Sequence, residues 1–242
     1  MSNLNVKAIF TNIRRNCKYA TALIVYACVI IWAVEMVLRV ISLEAYSSFI
    51  GETAFIPFYA LKTPWTWFTS MFVHAPNFTH IFFNMLCLWM LGSELERFFG
   101  KLKFFGLYIL SGFGGNVASV IWCTITNNWE SASYGASGAI MGLIGSLAIA
   151  QWRLGEEMRG TIVWILLTLA MPLIIPNIAW QAHVGGLVVG TLMGLLLAVQ
   201  NPLLRKASFN TRFLVYFVSL FVILSACSIF CLTLPVSQIT SL

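Results

Sequence analysis

Seven long apolar segments, at about 20–43, 79–96, 104–125, 137–152, 161–175, 181–200 and 213–234, take up most of this 242-residue chain. Sixty per cent of its residues are hydrophobic and 9% are charged, where soluble domains carry roughly 25% charged residues. No aqueous core can absorb such a chain. The expected fold is all-α, a polytopic membrane helix bundle. The first segment is too long for a signal-peptide core and lacks a small-residue cleavage site, so it is expected to stay. The fourth and fifth fall short of the ~20 residues a straight span needs, which suggests helices that begin below the membrane surface.

The net charge of +6 invites a nucleic-acid reading, but its distribution argues otherwise. Twelve of the 14 basic residues fall on one side of the bundle, in the amino-terminal arm and the loops after segments 2, 4 and 6. Only Arg39 and Lys62 fall toward the other. The positive-inside rule then puts the amino terminus in the cytoplasm and the carboxy terminus outside. The basic balance reflects topology, and no nucleic-acid partner is expected.

The six cysteines form no Cys-x-x-Cys pair and mostly lie in apolar segments, so they read as small fillers. Neither a metal site nor a cofactor is indicated. Three regions are expected: a cytoplasmic arm at 1–18, a six-helix membrane domain at 19–200, and a cytoplasmic linker with an appended seventh helix at 201–242. In the arm, Val6, Ile9, Phe10 and Ile13 have helical spacing, which fits a surface-lying helix or a disordered basic tail. The loop at about 44–78 is rich in aromatic residues, and interfaces favour these, so it is expected to dip into the outer leaflet.

Chemistry concentrates at one depth. In this topology segments 2, 4 and 6 all run inward from the outer side, so their first residues share a level. Those residues include His80 and Asn84, then Ser137, then His183. Polar groups in lipid are costly and face a protein interior or a wet cavity. Ser137 begins a segment spanning ~24 Å at 1.5 Å per residue, against a ~30 Å hydrocarbon core, so the pocket is expected below the rim. Gly186, Gly190 and Gly194 form a small-residue stripe in the sixth segment, with His183 one turn above. Gly138, Gly142 and Gly145 flank the serine's face of the fourth. Such stripes let backbones approach closely, as a short serine side chain requires if an imidazole is to reach it. Thr191 is expected about a quarter-turn off that contact.

A serine hydroxyl needs a base to become a nucleophile, and His183 is the one this topology delivers. His80 and Asn84, one turn apart, present donors to a common face. With the Ser137 amide at a helix start they could serve a developing oxyanion, or simply cap the long loop. His74 is read as bracing that loop. The chain has no aspartate, which excludes a Ser-His-Asp triad and a di-aspartyl protease. No histidine precedes a glutamate, so a His-Glu-x-x-His zinc site is absent. A two-residue Ser-His dyad remains.

From about residue 60 to 200 the chain resembles the rhomboid intramembrane serine proteases. The resemblance rests on Phe72-Val73-His74-Ala75, on His80-Ile81-Phe82-Phe83-Asn84-Met85, and on Gly92-x3-Glu96-x3-Gly100. It continues through Gly135-Ala136-Ser137-Gly138 and Ala182-His183-x2-Gly186-x3-Gly190. It implies a six-helix rhomboid core, here with a seventh transmembrane helix, in a bacterial plasma membrane. It implies Ser137 as nucleophile, His183 as base, and an oxyanion hole of His80, Asn84 and the Ser137 N–H. Glu96 matches a family carboxylate with a structural role. The chain departs from the family at Trp65-Thr66, where many relatives have Trp-Arg. It departs again at Met141, where many bacterial members have a tyrosine that packs on the catalytic histidine.

The function expected is hydrolysis of peptide bonds in or next to transmembrane segments of other membrane proteins. A substrate helix must unwind locally to offer a carbonyl, and the short fifth segment, ending at Pro172 and Pro176, is the candidate gate. Partners are then transmembrane substrates and the bilayer, with the oligomeric state left open. The rival is an inactive rhomboid-like protein that binds or escorts membrane clients, which would not need Ser137 and His183 together. A small transporter fits the glycines and the wet cavity but not four catalytic-type groups at one depth.

Overall fold

A computed structural model describes residues 19–174, 178–199 and 201–234. In chain order its helices are α1 (Ala20–Ile41), α2 (Leu43–Thr53), α3 (Thr66–Thr69), α4 (Phe78–Phe99), α5 (Lys101–Thr126), α6 (Ser137–Leu154), α7 (Arg159–Ala170), α8 (Trp180–Ala198) and α9 (Phe209–Thr233). Every apolar segment is thus a helix, and the described residues form a helical membrane bundle with no strand. Four helices, α1, α5, α8 and α9, are long and apolar enough to cross a bilayer by themselves. The two expected to be short are α6, with 18 residues, and α7, with 12. The arm at 1–18, with Cys17, lies outside the described residues, as do Pro176 and the end of the third region.

Local chemistry sets the helix ends. The Asn77 side chain accepts from the His80 amide at 2.7 Å, capping α4, and Gly100 closes it with φ 81°. The start of α1 has no cap of its own. Glu96, near the end of α4, supplies one. Its carboxylate accepts from the Ala20 amide at 2.6 Å, the Thr21 amide at 2.8 Å and the Thr21 hydroxyl at 2.7 Å. An anion is favoured at a helix start, where amides lack intrahelical partners.

The first loop holds more order than its sequence suggested, because α2, α3 and a 3-10 turn at Pro57–Tyr59 fall within it. Helix α5 anchors it from below. Tyr108 donates its hydroxyl to Met71 O at 3.0 Å, and the Asn116 amide donates to Trp67 O at 2.9 Å. At the position of the departure, Thr66 is buried and donates its hydroxyl to Thr63 O at 2.7 Å. The Trp65 indole donates to Glu52 O at 2.7 Å.

Helix α8 sits against both α5 and α6, and glycines make the contacts. A Cβ on Gly186 would overlap the carbonyl of Gly138, and one on Gly190 that of Gly142. On the α5 side, a Cβ on Gly115 would come within 2.8 Å of Ala182 O. Thr191 corrects the expectation for its position: its hydroxyl lies where a Cβ on Gly145 would be, so it belongs to the contact. The i+1 step from Gly190 carries it onto the neighbouring groove of α6, not away from it. Helix α9 packs on α5, with Phe221 and Phe113 ring centroids 5.0 Å apart. Arg212 at its start donates to Leu197 O at 2.7 Å. Five cysteines, Cys28, Cys87, Cys123, Cys227 and Cys231, are free.

Candidate active site

The segment before α6 is fixed from two directions. Ser133 exchanges backbone hydrogen bonds with Phe55 at 2.8 and 2.9 Å, and the Gly135 amide donates to Ser70 O at 2.8 Å. Gly135 takes φ +120°, a conformation L side chains rarely adopt, and this turns the chain into α6. Ser137 is the first residue of that helix, and the first helical bond there runs from the Ile140 amide to Ala136 O at 2.9 Å. The Ser137 amide therefore precedes the intrahelical ladder and has no helical acceptor.

His183 lies in the first turn of α8. The close approach of Gly186 to Gly138 brings the two helix starts together, and His183 Nε2 stands 2.8 Å from Ser137 Oγ. The residues are 46 apart in the chain. For Nε2 to accept the hydroxyl proton, a neutral ring must carry its own proton on Nδ1. Nδ1 is buried and has no hydrogen-bond partner among the described residues. Glu130 is exposed in the adjacent loop. Among the described residues the pair stands without a third, orienting carboxylate.

His80 is oriented from the loop side. The Ala75 amide donates to its Nδ1 at 3.0 Å, so in the neutral ring the proton is on Nε2. That nitrogen is turned toward the turn before Ser137, 3.2 Å from where a Cβ on Gly135 would stand. Asn84 is buried and spends one amide N–H on His80 O at 2.9 Å, leaving the second to point elsewhere. Ser137, His183, His80 and Asn84 all line one cavity of about 1280 Å³, together with Met141 and Gln181.

His74 stands apart from the hydroxyl. Its Nδ1 bonds Phe72 O at 3.1 Å, and its ring centroid is 5.4 Å from that of His80. Burial pushes its pKa down to about 3, which favours the neutral ring. It braces the loop.

Two α1 residues that the sequence analysis did not single out bond the backbone of this loop. Glu35 is fully buried, and its Oε1 accepts from the His74 amide at 3.3 Å. The Trp32 indole donates to Ala75 O at 3.2 Å. The signal was available: a carboxyl inside an apolar span is a candidate functional residue by default. No group of three or more His, Cys, Asp or Glu side chains able to hold a metal occurs among the described residues.

The family model for the rhomboid domain matches residues 61–200. The chain belongs to the rhomboid family. Among similar rhomboid proteins, the rhomboid protease AarA of Providencia stuartii is 32% identical over 169 residues, covering 60% of this chain and 59% of that one. The rhomboid protease GluP of Bacillus subtilis is 34% identical over 131 residues, 52% of this chain and 24% of that one. RHOMBOID-like protein 6, mitochondrial, of Arabidopsis thaliana is 32% identical over 142 residues, 56% of this chain and 44% of that one. The chain spans less than half the length of this plant relative and of the others like it. The rhomboid match contains Ser137, His183, His80 and Asn84, and leaves α1 and α9 outside it.

Proposed function

We propose that this rhomboid protein is an intramembrane serine endopeptidase, hydrolysing peptide bonds in or next to transmembrane segments through a Ser137–His183 dyad. The observation that carries this reading is the 2.8 Å separation of Ser137 Oγ from His183 Nε2 inside a cavity. Ser137 Oγ attacks the scissile carbonyl carbon while its proton passes to His183 Nε2. The carbonyl oxygen becomes an oxyanion, and the Ser137 N–H, the His80 Nε2–H and the free Asn84 N–H are the donors available to it. Collapse breaks the C–N bond, with His183 returning its proton to the leaving amine. Water, giving a proton to the same imidazole, then attacks the acyl carbon; the C–Oγ bond breaks, His183 returns the proton to Ser137 Oγ, and the acyl group leaves as a carboxylic acid.

Substrates on this reading are single-pass proteins whose helix unwinds locally to offer a carbonyl. Helix α7 is the proposed gate. It contains no buried residue, and its Trp164 and Thr168 line the cavity. The six-helix domain at 19–200, the appended α9 and a cytoplasmic amino terminus belong to the same proposal. An inactive client-binding protein would have no use for a serine held against an imidazole. Labelling by a fluorophosphonate serine probe tests the reading. Wild-type protein should react and Ser137→Ala should not, and equal labelling of the two would remove the nucleophile.

A further inference from the structure

Helix α1 lies outside the span matched to the rhomboid domain, yet it grips the peptide that orients His80. Glu35 and Trp32 are three residues apart, so they share one face of α1. Glu35 Oε1 accepts the His74 N–H and Trp32 donates to Ala75 O, at 3.3 and 3.2 Å. Between these two grips lies the Ala75 N–H, which donates to His80 Nδ1 at 3.0 Å. That donation makes Nδ1 an acceptor and keeps the ring proton on Nε2, the nitrogen turned toward Gly135 and Ser137.

We infer that Glu35 is a positioning residue, acting with Trp32 through the His74–Ala75 peptide to hold His80 as an Nε2 donor toward the site. A role in stability explains Glu35 poorly. Its Oε2 is buried with no hydrogen-bond partner among the described residues, and a buried carboxyl so poorly matched contributes little to the fold. Without the α1 grip, the Ala75 amide loses its aim and the neutral imidazole can shift its proton to Nδ1. The oxyanion donor then becomes an acceptor lone pair, which repels the developing negative charge.

The inference rests on the peptidase reading, and the experiment separates the two. Turnover of a single-pass substrate is measured in proteoliposomes for wild type, Glu35→Gln and Glu35→Ala, and for Glu35→Ala in a His80→Ala background. Nitrogen spectra of 15N-histidine-labelled full chain report the His80 tautomer independently of activity. Glu35→Gln keeps a carbonyl acceptor for the His74 N–H and should retain most of the turnover. Glu35→Ala should lower kcat about tenfold, below the ~100-fold cost of deleting an oxyanion donor because part of the His80 population keeps its Nε2–H, with KM nearly unchanged. Its His80 spectrum should change from one Nε2–H tautomer to a mixture. In the His80→Ala background it should cost nothing further. An unchanged His80 spectrum in Glu35→Ala, a full additional penalty without His80, or a Glu35→Gln variant as slow as Glu35→Ala would each overturn the inference. Absence of Ser137-dependent cleavage in wild type would defeat the peptidase reading instead, with the spectra still deciding what Glu35 does.

Discussion

Gly186 of α8 lies so close to Gly138 of α6 that a single added carbon at Gly186 would overlap the Gly138 carbonyl. The obstacle is backbone, which cannot rotate aside as a side chain can. One residue before Gly138 is the serine, and one turn before Gly186 is the histidine. The glycine contact and the 2.8 Å hydrogen bond are therefore one geometric fact seen at two places.

Substitution at this contact should stretch the dyad. Gly186→Leu and Gly190→Leu are expected to abolish cleavage, because both would drive a side chain into a carbonyl of α6. Val188, on the same helix but 56% exposed, should accept leucine with near-normal activity. Thr191→Leu should be harmful too, since Thr191 packs against Gly145. A proteoliposome cleavage assay checks all four, and tolerance of leucine at Gly186 would break the link between helix packing and the site.

Ser137→Ala and His183→Ala should each remove cleavage of a single-pass substrate while leaving the fold intact. Because the two act as a unit, the double variant should be no slower than either single one. A further loss in the double variant would mean that each residue has an independent role.

Asn84→Ala should act on turnover more than on substrate binding, because an oxyanion donor works mainly in the transition state. Loss of one donor costs about 100- to 1000-fold in kcat, and the fall should lie at or below the lower figure where His80 and the Ser137 amide compensate. Unchanged kcat with a lower Tm would return Asn84 to a purely capping role, through its bond to His80 O.

Glu96→Ala should separate stability from chemistry. Its carboxylate accepts three donors at the start of α1, and stranding those buried donors should cost on the order of 3 kcal/mol. The protein should melt earlier in lipid, while kcat per folded molecule stays close to wild type. A selective loss of kcat would place Glu96 in the chemistry.

The sequence disclosed the long helices to within about five residues at each end, because each is an apolar run bounded by a glycine, a cap or a charged loop. Gly100 and Gly155, for example, end α4 and α6 with positive φ. It also set Ser137, His183, His80 and Asn84 at one depth, since topology alone fixes which helix starts share a level. What it hid depends on azimuth and on loops. Rotation about an isolated helix puts Thr191 off the contact, but α8 is surrounded, so a quarter-turn moves a residue from one neighbour's groove to the next. Glu35 and Trp32 went unremarked because their partners are backbone groups of a loop, and backbone groups carry no sequence signature. The short helices of the first loop were masked by its aromatic content, which reads as interface whatever the local conformation.

The distance in sequence between Ser137 and His183 also orders events during synthesis. Ser137 enters the membrane with α6, while its partner follows 46 residues later, after α7. On the proposed assignment, a chain ended after α7 should leave Ser137 unlabelled by a fluorophosphonate that marks the full protein. On that assignment the nascent protein is inert until the last core helix closes against the glycines of α6.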